Sequence, residues 1–340
     1  MIEHLKSGLS ISTHVGCTMG CDYCVLSVVG EFIRGPQTDN SPEAIVDSLL
    51  SDNSLFVNGE TTLFINNRTD PLLPPVEKST YRLLELLDHN CINSPVLLIT
   101  KFSPIEQLTH FFDKLNLMYV YSYSGYKNDF NYSRLLSDIK QICKSVPKAS
   151  RFHYLRPIIP DINDNIDNIR EILNRFETSG FNGSIMAGFR VNRNNNSLLP
   201  QEMAYSTQHK LFSSDMYQTL VEDKAGNYCI FRHTSCAISY YMHTYNKLNY
   251  YNREGHCSIK CTNYGLCGVR PKIALKAVEE LMNRYLPGIS DWYYEDENEV
   301  LVIKEEVSQE HVAFIRNVLG INVNAEKLSL SASERIITNQ

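Results

Sequence analysis

The run Leu9-Ser10-Ile11-Ser12-Thr13-His14-Val15 leads straight into Gly16-Cys17-Thr18-Met19-Gly20-Cys21-Asp22-Tyr23-Cys24. The first part has the β-branched, alternating character of a strand. The second is a short loop carrying three thiols, and Gly16 and Gly20 each precede a cysteine, where a missing side chain lets the backbone wrap closely. Working outward, further runs of strand character cover Thr61–Asn66, Val96–Thr100, Leu117–Ser122, Phe152–Ile159 and Ser184–Arg190. Between them lie amphipathic helical patterns over Pro42–Leu50, Val76–His89, Pro104–Leu115, Tyr132–Val146 and Ile166–Ser179. Ser41, Pro42 and Glu43 supply the N-cap, first position and first-turn acid of a helix start. Strand–helix alternation of this kind argues for an α/β fold made of right-handed βαβ units around a parallel sheet. About six such units suit a partial (β/α)6 barrel, with a doubly wound open sheet as the competing arrangement. In a barrel, catalytic groups gather at the C-terminal ends of the strands, the face on which Cys17 falls.

The alternation ends near residue 191, giving a barrel over 1–191 and an Asn/Ser-rich connecting segment over 192–228. A cysteine-rich auxiliary region follows over 229–270, then a small α+β cap over 271–340. In the cap, Pro271–Tyr285 and Gln309–Leu319 read as helices and Glu299–Glu305 as a strand. Hydrophobic content of 43% and charged content of 21% are ordinary for a globular chain. A net charge of -6 gives no whole-protein attraction to nucleic acid or anionic membrane. No apolar run approaches the roughly 20 residues of a membrane helix, and the N-terminus has no signal-peptide core, so the expectation is a cytoplasmic protein without a membrane partner.

In a reducing compartment, clustered cysteines bind metal or do redox chemistry more often than they form disulfides. Of the 10 cysteines, Cys91 and Cys143 stand alone in helical patterns and read as buried structural thiols. Cys17, Cys21 and Cys24 are soft ligands suited to an iron–sulfur cluster or to zinc. Three thiolates around a cubane cluster leave one iron open to a cofactor or substrate. A closed zinc site would need a fourth ligand, such as His14.

The spacing of these cysteines, with an aromatic residue before the last, resembles the radical S-adenosylmethionine superfamily. The resemblance implies a [4Fe-4S] cluster with an open iron, held by Cys17, Cys21 and Cys24. S-adenosylmethionine would bind there and yield a 5′-deoxyadenosyl radical on reduction, with Tyr23 on the adenine side. Asn67-Arg68-Thr69-Asp70-Pro71 is similar to the signature of the spore-photoproduct-lyase-like branch. Val96–Lys101, Tyr119–Ser124 and Arg156–Asp164 resemble its third, fourth and fifth strands. The likeness spans roughly residues 9–190. It places Asn67, Thr69, Asp70, Lys101, Ser122, Ser124 and Arg156 around the cofactor. Chemistry agrees: Asp70 and Asn67 suit an ammonium or ribose, Ser122 and Ser124 a ribose or carboxylate, and Arg156 a carboxylate.

A second set comprises Cys236, Cys257, Cys261 and Cys267, with Cys229 left over as a candidate hydrogen-atom donor or a buried thiol. Four cysteines suit an auxiliary [4Fe-4S] cluster, a structural zinc site, or unliganded thiols. This set departs from the spore photoproduct lyase pattern and leans the reading towards peptide-modifying members. Tyr240, Tyr241, Tyr245, Tyr250, Tyr251 and Tyr264 lie around it, as a peptide- or base-stacking surface or an aromatic lid over a cluster. The expected function is hydrogen abstraction from a peptide or protein substrate, such as maturation of a ribosomal peptide by backbone rearrangement or fragment excision. A separate leader-peptide-binding protein and an electron donor such as flavodoxin or ferredoxin are the expected partners. Nucleic-acid lesion repair or nucleoside modification is the alternative, and a non-catalytic iron–sulfur or zinc-binding module is a third class.

Overall fold

A computed structural model describes residues 2–24, 26, 35–52, 54–190, 198, 210–211, 214–224, 228–248, 267 and 271–329. Strands are β1 (Ile2–Leu5), β2 (Gly8–Ile11), β3 (His14–Val15), β4 (Gln37–Thr38), β5 (Leu63–Ile65), β6 (Val96–Thr100), β7 (Leu117–Ser122), β8 (Arg151–Ile158), β9 (Gly183–Arg190), β10 (Lys210–Leu211) and β11 (Cys229–Phe231). The cap adds β12 (Trp292–Glu295), β13 (Val300–Ser308) and β14 (Asn322–Ser329). Helices are α1 (Pro42–Leu49), α2 (Pro74–His89), α3 (Leu135–Ser145), α4 (Ile166–Thr178), α5 (Ser214–Asp223), α6 (Thr234–Tyr241), α7 (Leu275–Tyr285) and α8 (Gln309–Leu319).

The main sheet has nine strands. β2, β5, β6, β7, β8 and β9 pair in parallel in that order, the antiparallel β1 flanks β2, and β9 carries β10 and β11. Among the described residues no pairing joins the two edges, so the sheet is a large parallel one, open between β1 and the β10/β11 side. Side chains alternate across it. Leu63, Val96, Leu98, Leu117 and Tyr119 pack under the helices, while Phe64, Leu97, Met118, Val120 and Phe152 fill the other face. Helices α1 and α4 start at the expected residues, Pro42 and Ile166: Ser41 Oγ accepts from Ala44 N at 3.1 Å and Asn165 caps α4.

Three expectations change. The Pro104–Leu115 stretch is a 3₁₀ helix over Glu106–Asp113, because its two buried residues, Leu108 and Phe111, are three apart and suit a three-residue turn. Alternation resumes after residue 191, since Cys229-Ile230-Phe231 forms a further parallel strand beside Gly183-Ser184-Ile185. Gly183 permits that approach: a Cβ there would lie 2.3 Å from the Cys229 carbonyl oxygen. Cys91 is exposed, because its φ of 53° turns the chain out of α2 just beyond the last helical turn. Cys143 is half-buried and donates to the Ser179 carbonyl at 3.1 Å.

Helix α6 lies against the second face of the main sheet, where Ala237 and Ile238 are buried with Phe152 and Phe231. The C-terminal residues form a second core around β13, α7 and α8, and Asn317 of α8 donates to the Leu5 carbonyl of β1 at 3.0 Å. Among the described residues, no helix is long and apolar enough to cross a membrane.

Candidate active site

Beyond Ile11 the chain is hung on the segment that follows β5. Asn66, fully buried, accepts from Thr13 N at 2.8 Å and Thr13 Oγ1 at 3.0 Å, and donates to Thr80 Oγ1 at 2.7 Å. Gly16 N donates to the Arg68 carbonyl at 3.1 Å, and Arg68 is held by a bidentate pair with Glu3. The cysteine loop therefore sits over the C-terminal ends of β5 and β6. His14 is buried with its ring nitrogens 2.9 Å from Thr13 Oγ1 and 3.3 Å from Thr38 Oγ1, which weighs against it as a fourth metal ligand.

Cys17, Cys21 and Cys24 line one cavity of about 760 Å³, a size that suits a cofactor-sized ligand. Asn67, Thr69, Asp70, Lys101, Ser122 and Arg156 line it as well, as does Tyr23. Burial holds the Cys17 thiol above its ordinary pKa and pushes Cys21 up to about 11. Thr69 Oγ1 is buried without a hydrogen-bond partner among the described residues. Arg156 is exposed, its guanidinium 4.7 Å from the Tyr154 ring centroid.

Four of the expected cofactor contacts, Asp70, Lys101, Ser124 and Tyr23, are already engaged within the chain. Asp70 accepts from Leu72 N at 3.0 Å, Thr100 Oγ1 at 2.6 Å and Lys101 N at 2.8 Å, tying β5 to β6, while burial raises its pKa. Lys101 Nζ donates to both Asp129 carboxylate oxygens and to the Tyr23 hydroxyl. Ser124 does not line the cavity: its hydroxyl donates to Asp129 at 3.2 Å and accepts from Tyr126 N at 3.2 Å. Burial, with the nearby Asp129 carboxylate second, raises the Tyr23 phenol pKa. Sequence reasoning missed Asp129, which sits in a polar Lys127-Asn128-Asp129 turn and reads as a loop signal. It also left Arg190 unassigned, although this residue ends β9 and lines the same cavity.

The second cysteine set is placed differently. Cys229 pairs with Gly183, the first residue of β9, whereas the cavity is lined by Ala187, Gly188 and Arg190 farther along that strand. At about 3.3 Å per residue, about 13 Å of strand separates that pairing from the nearest of these lining residues. Cys229 is thus a buried thiol at the N-terminal end of the sheet, which removes it as a hydrogen-atom donor to this cavity. Cys236 lies on α6, 3.4 Å from Asn246 Nδ2, and Cys267 is buried. Cys257 and Cys261 lie outside the described residues, as do Tyr250, Tyr251 and Tyr264. Tyr240 and Tyr241 are half-buried and pack edge-on against Phe152 at 6.3 and 6.1 Å. Tyr245 lines a separate cavity of about 410 Å³ with Ser7, Thr62 and Pro95, which precede β2, β5 and β6. Among the described residues, no three His, Cys, Asp or Glu side chains converge tightly enough to hold a metal ion.

No protein-family model matches the sequence, and no curated protein matches it. Solved structures are similar in fold. Spore photoproduct lyase complexed with dinucleoside spore photoproduct gives a TM-score of 0.51 at 11% identity, covering 68% of this chain and 79% of that one. A mutant of that enzyme with bound AdoMet and dinucleoside spore photoproduct gives 0.46 at 13%, covering 62% of this chain and 66% of that one. Streptococcus suis SuiB bound to S-adenosylmethionine gives 0.45 at 10%, covering 67% of this chain and 51% of that one.

Proposed function

We propose that this chain is a radical S-adenosylmethionine enzyme. The observation that carries the reading is that Cys17, Cys21 and Cys24 share one cavity with Asn67, Thr69, Ser122 and Arg156, at the C-terminal end of a parallel sheet. The donor set fits the implied groups. Three soft thiols suit an iron–sulfur cluster, and the orphaned Thr69 hydroxyl is a buried polar atom that a bound cofactor would satisfy. When bound, a cluster with an open iron and S-adenosylmethionine would supply a primary-carbon radical by one-electron reductive cleavage. The chain's own part is placement. Asn67, Thr69 and Ser122 would offer hydrogen bonds to the cofactor's ammonium and ribose groups, Arg156 would pair with its carboxylate, and Asp70 fixes the ends of β5 and β6. An external one-electron donor of the flavodoxin or ferredoxin type would be its partner.

A peptide or protein is the first substrate reading, supported by the net charge of -6 and by the second cysteine set, for which an auxiliary [4Fe-4S] cluster remains the proposal and zinc the alternative. A nucleic-acid lesion is the second, favoured by exposed Arg156 and Arg190 at the cavity, which suit phosphate, and by the fold shared with spore photoproduct lyase. The test is anaerobic incubation of the reconstituted protein with reductant and S-adenosylmethionine. Release of 5′-deoxyadenosine is expected, and its absence would refute the enzyme class. Oligonucleotide binding that weakens steeply with salt would move the substrate reading to nucleic acid.

A further inference from the structure

Lys101 and Asp129 place two charges where water hardly reaches, with side-chain exposures of 10% and 1%. A buried ion pair is seldom a net gain in stability over an apolar pair of similar size, so what else it holds is informative. Here every remaining contact leads to the cysteine loop or to the turn that grips it. The Tyr23 hydroxyl donates to Asp129 Oδ2 at 2.6 Å and accepts from Lys101, on a residue that stands between Cys21 and Cys24 and lines the same cavity. Asp129 itself is fixed by Ser124 Oγ and by Phe130 N at 2.9 Å. A parallel grip lies one residue earlier: the Tyr126 hydroxyl donates to Asp22 at 2.7 Å, and its ring meets the Tyr23 ring edge-on at 5.9 Å. The loop between these grips and β3 includes Gly16 and Gly20 at φ of 100° and 60°, a backbone that does little to hold three thiols in one geometry.

We infer that Asp129 is a positioning residue that acts through Tyr23 to orient Cys21 and Cys24 for metal binding, with Lys101 as its counter-charge and not as a cofactor ligand. This rests on the reading of the loop as a metal site. Asp129 does not touch the metal or the cofactor; it holds the residue that lies between two ligands, as outer-shell partners do in metal sites generally.

The experiment uses the full chain and two readouts. In the metal-free protein, alkylation of Cys21 by iodoacetamide is followed by mass spectrometry, with the exposed Cys91 as internal reference. In the reconstituted protein, bound iron is quantified and the reduced cluster is examined by electron paramagnetic resonance. Asp129→Asn and Tyr23→Phe should each raise the Cys21 alkylation rate relative to Cys91 and lower iron affinity by about tenfold, the usual effect of losing an outer-shell partner. Asp129→Glu should restore part of both. The double variant Lys101→Met/Asp129→Leu removes the burden of an unpaired charge but not the loss of the phenol's anchor, so its Cys21 should stay as reactive as in Asp129→Asn. Recovery of wild-type protection and iron affinity in that double variant would show that Asp129 only balances charge, and would overturn the inference. Unchanged alkylation and iron uptake in Asp129→Asn would overturn it while leaving the enzyme reading intact. Failure of the wild type to take up iron would overturn both.

Discussion

Cys21 and Cys229 belong to opposite ends of the same sheet, and their neighbours differ in kind. Cys21 lies in a loop beyond the strand ends, beside the Tyr23 hydroxyl and in the field of Lys101 and Asp129. Cys229 lies inside a strand, 1% exposed, among Phe231, Ala237 and Phe152. One end of the sheet offers thiols, hydroxyls, a carboxylate and guanidinium groups around a cavity; the other packs a thiol into an apolar interior. The same atom is a candidate ligand at the first and a small hydrophobe at the second. Cysteine chemistry therefore follows from which end of a parallel strand a residue occupies, and a count of cysteines cannot supply that.

The contrast breaks most visibly if the loop thiols are removed. Cys17, Cys21 and Cys24 changed together to Ala should abolish iron binding at the cavity and leave the circular dichroism spectrum unchanged, because the loop lies outside the apolar cores. Full iron retention in this variant would show that the cavity is not the metal site.

A smaller effect tests how dry the opposite face of the sheet is. His153, on β8, is fully buried, with Nε2 donating to the Tyr123 carbonyl at 2.9 Å and Nδ1 2.6 Å from Ser184 Oγ. Its ring stacks on Phe176 at 3.7 Å, and burial lowers its pKa from 6.5 to about 3. The folded chain keeps this ring neutral where the unfolded chain protonates it. Stability is therefore complete above about pH 6.5 and declines as pH falls towards 3, by at most about 1.4 kcal/mol per unit. Denaturant titrations between pH 7 and 4 should show this slope, and His153→Gln, though less stable at pH 7, should flatten it. An equally steep profile in the variant would place the acid sensitivity elsewhere.

The smallest effect concerns Cys229 itself. Cys229→Ala should cost about 1 kcal/mol, as a modest loss of buried volume does, with iron content and cofactor cleavage unchanged. A large loss of cleavage would contradict its position at the N-terminal end of β11.

Much of the cavity was legible in the sequence because its parts are local. Cys17, Asp70, Lys101 and Ser122 each lie at or just beyond the end of an apolar run, and strand ends in a parallel α/β fold share one face. What those residues do there was less legible. The resemblance implies cofactor contacts for Lys101 and Tyr23, yet both turn to Asp129, 28 and 106 residues away. No local pattern marks an aspartate in a polar turn as the partner of two such distant groups. The tyrosines near Cys236 were ambiguous for a related reason. Alternating aromatic and polar residues suit a binding surface and a packed helix equally well, and only the tertiary structure sets Tyr240, half-buried, against Phe152 and Phe231.

The sequence by itself determined the periodicity of strands and helices, the thiol-bearing loop after the first parallel strand and the chemical character of each strand end. These depend on neighbours within a few residues, where apolar spacing, capping and turn chemistry act. Tertiary structure alone decided that the two edges of the sheet do not pair among the described residues, that β11 joins it beside Gly183, that Cys229 falls at the far end from Cys17, and that a buried ion pair grips the cysteine loop. Those outcomes depend on register and on burial between segments distant in the chain, where the cost of an unpaired charge or an unfilled interior selects one arrangement among many that local sequence allows.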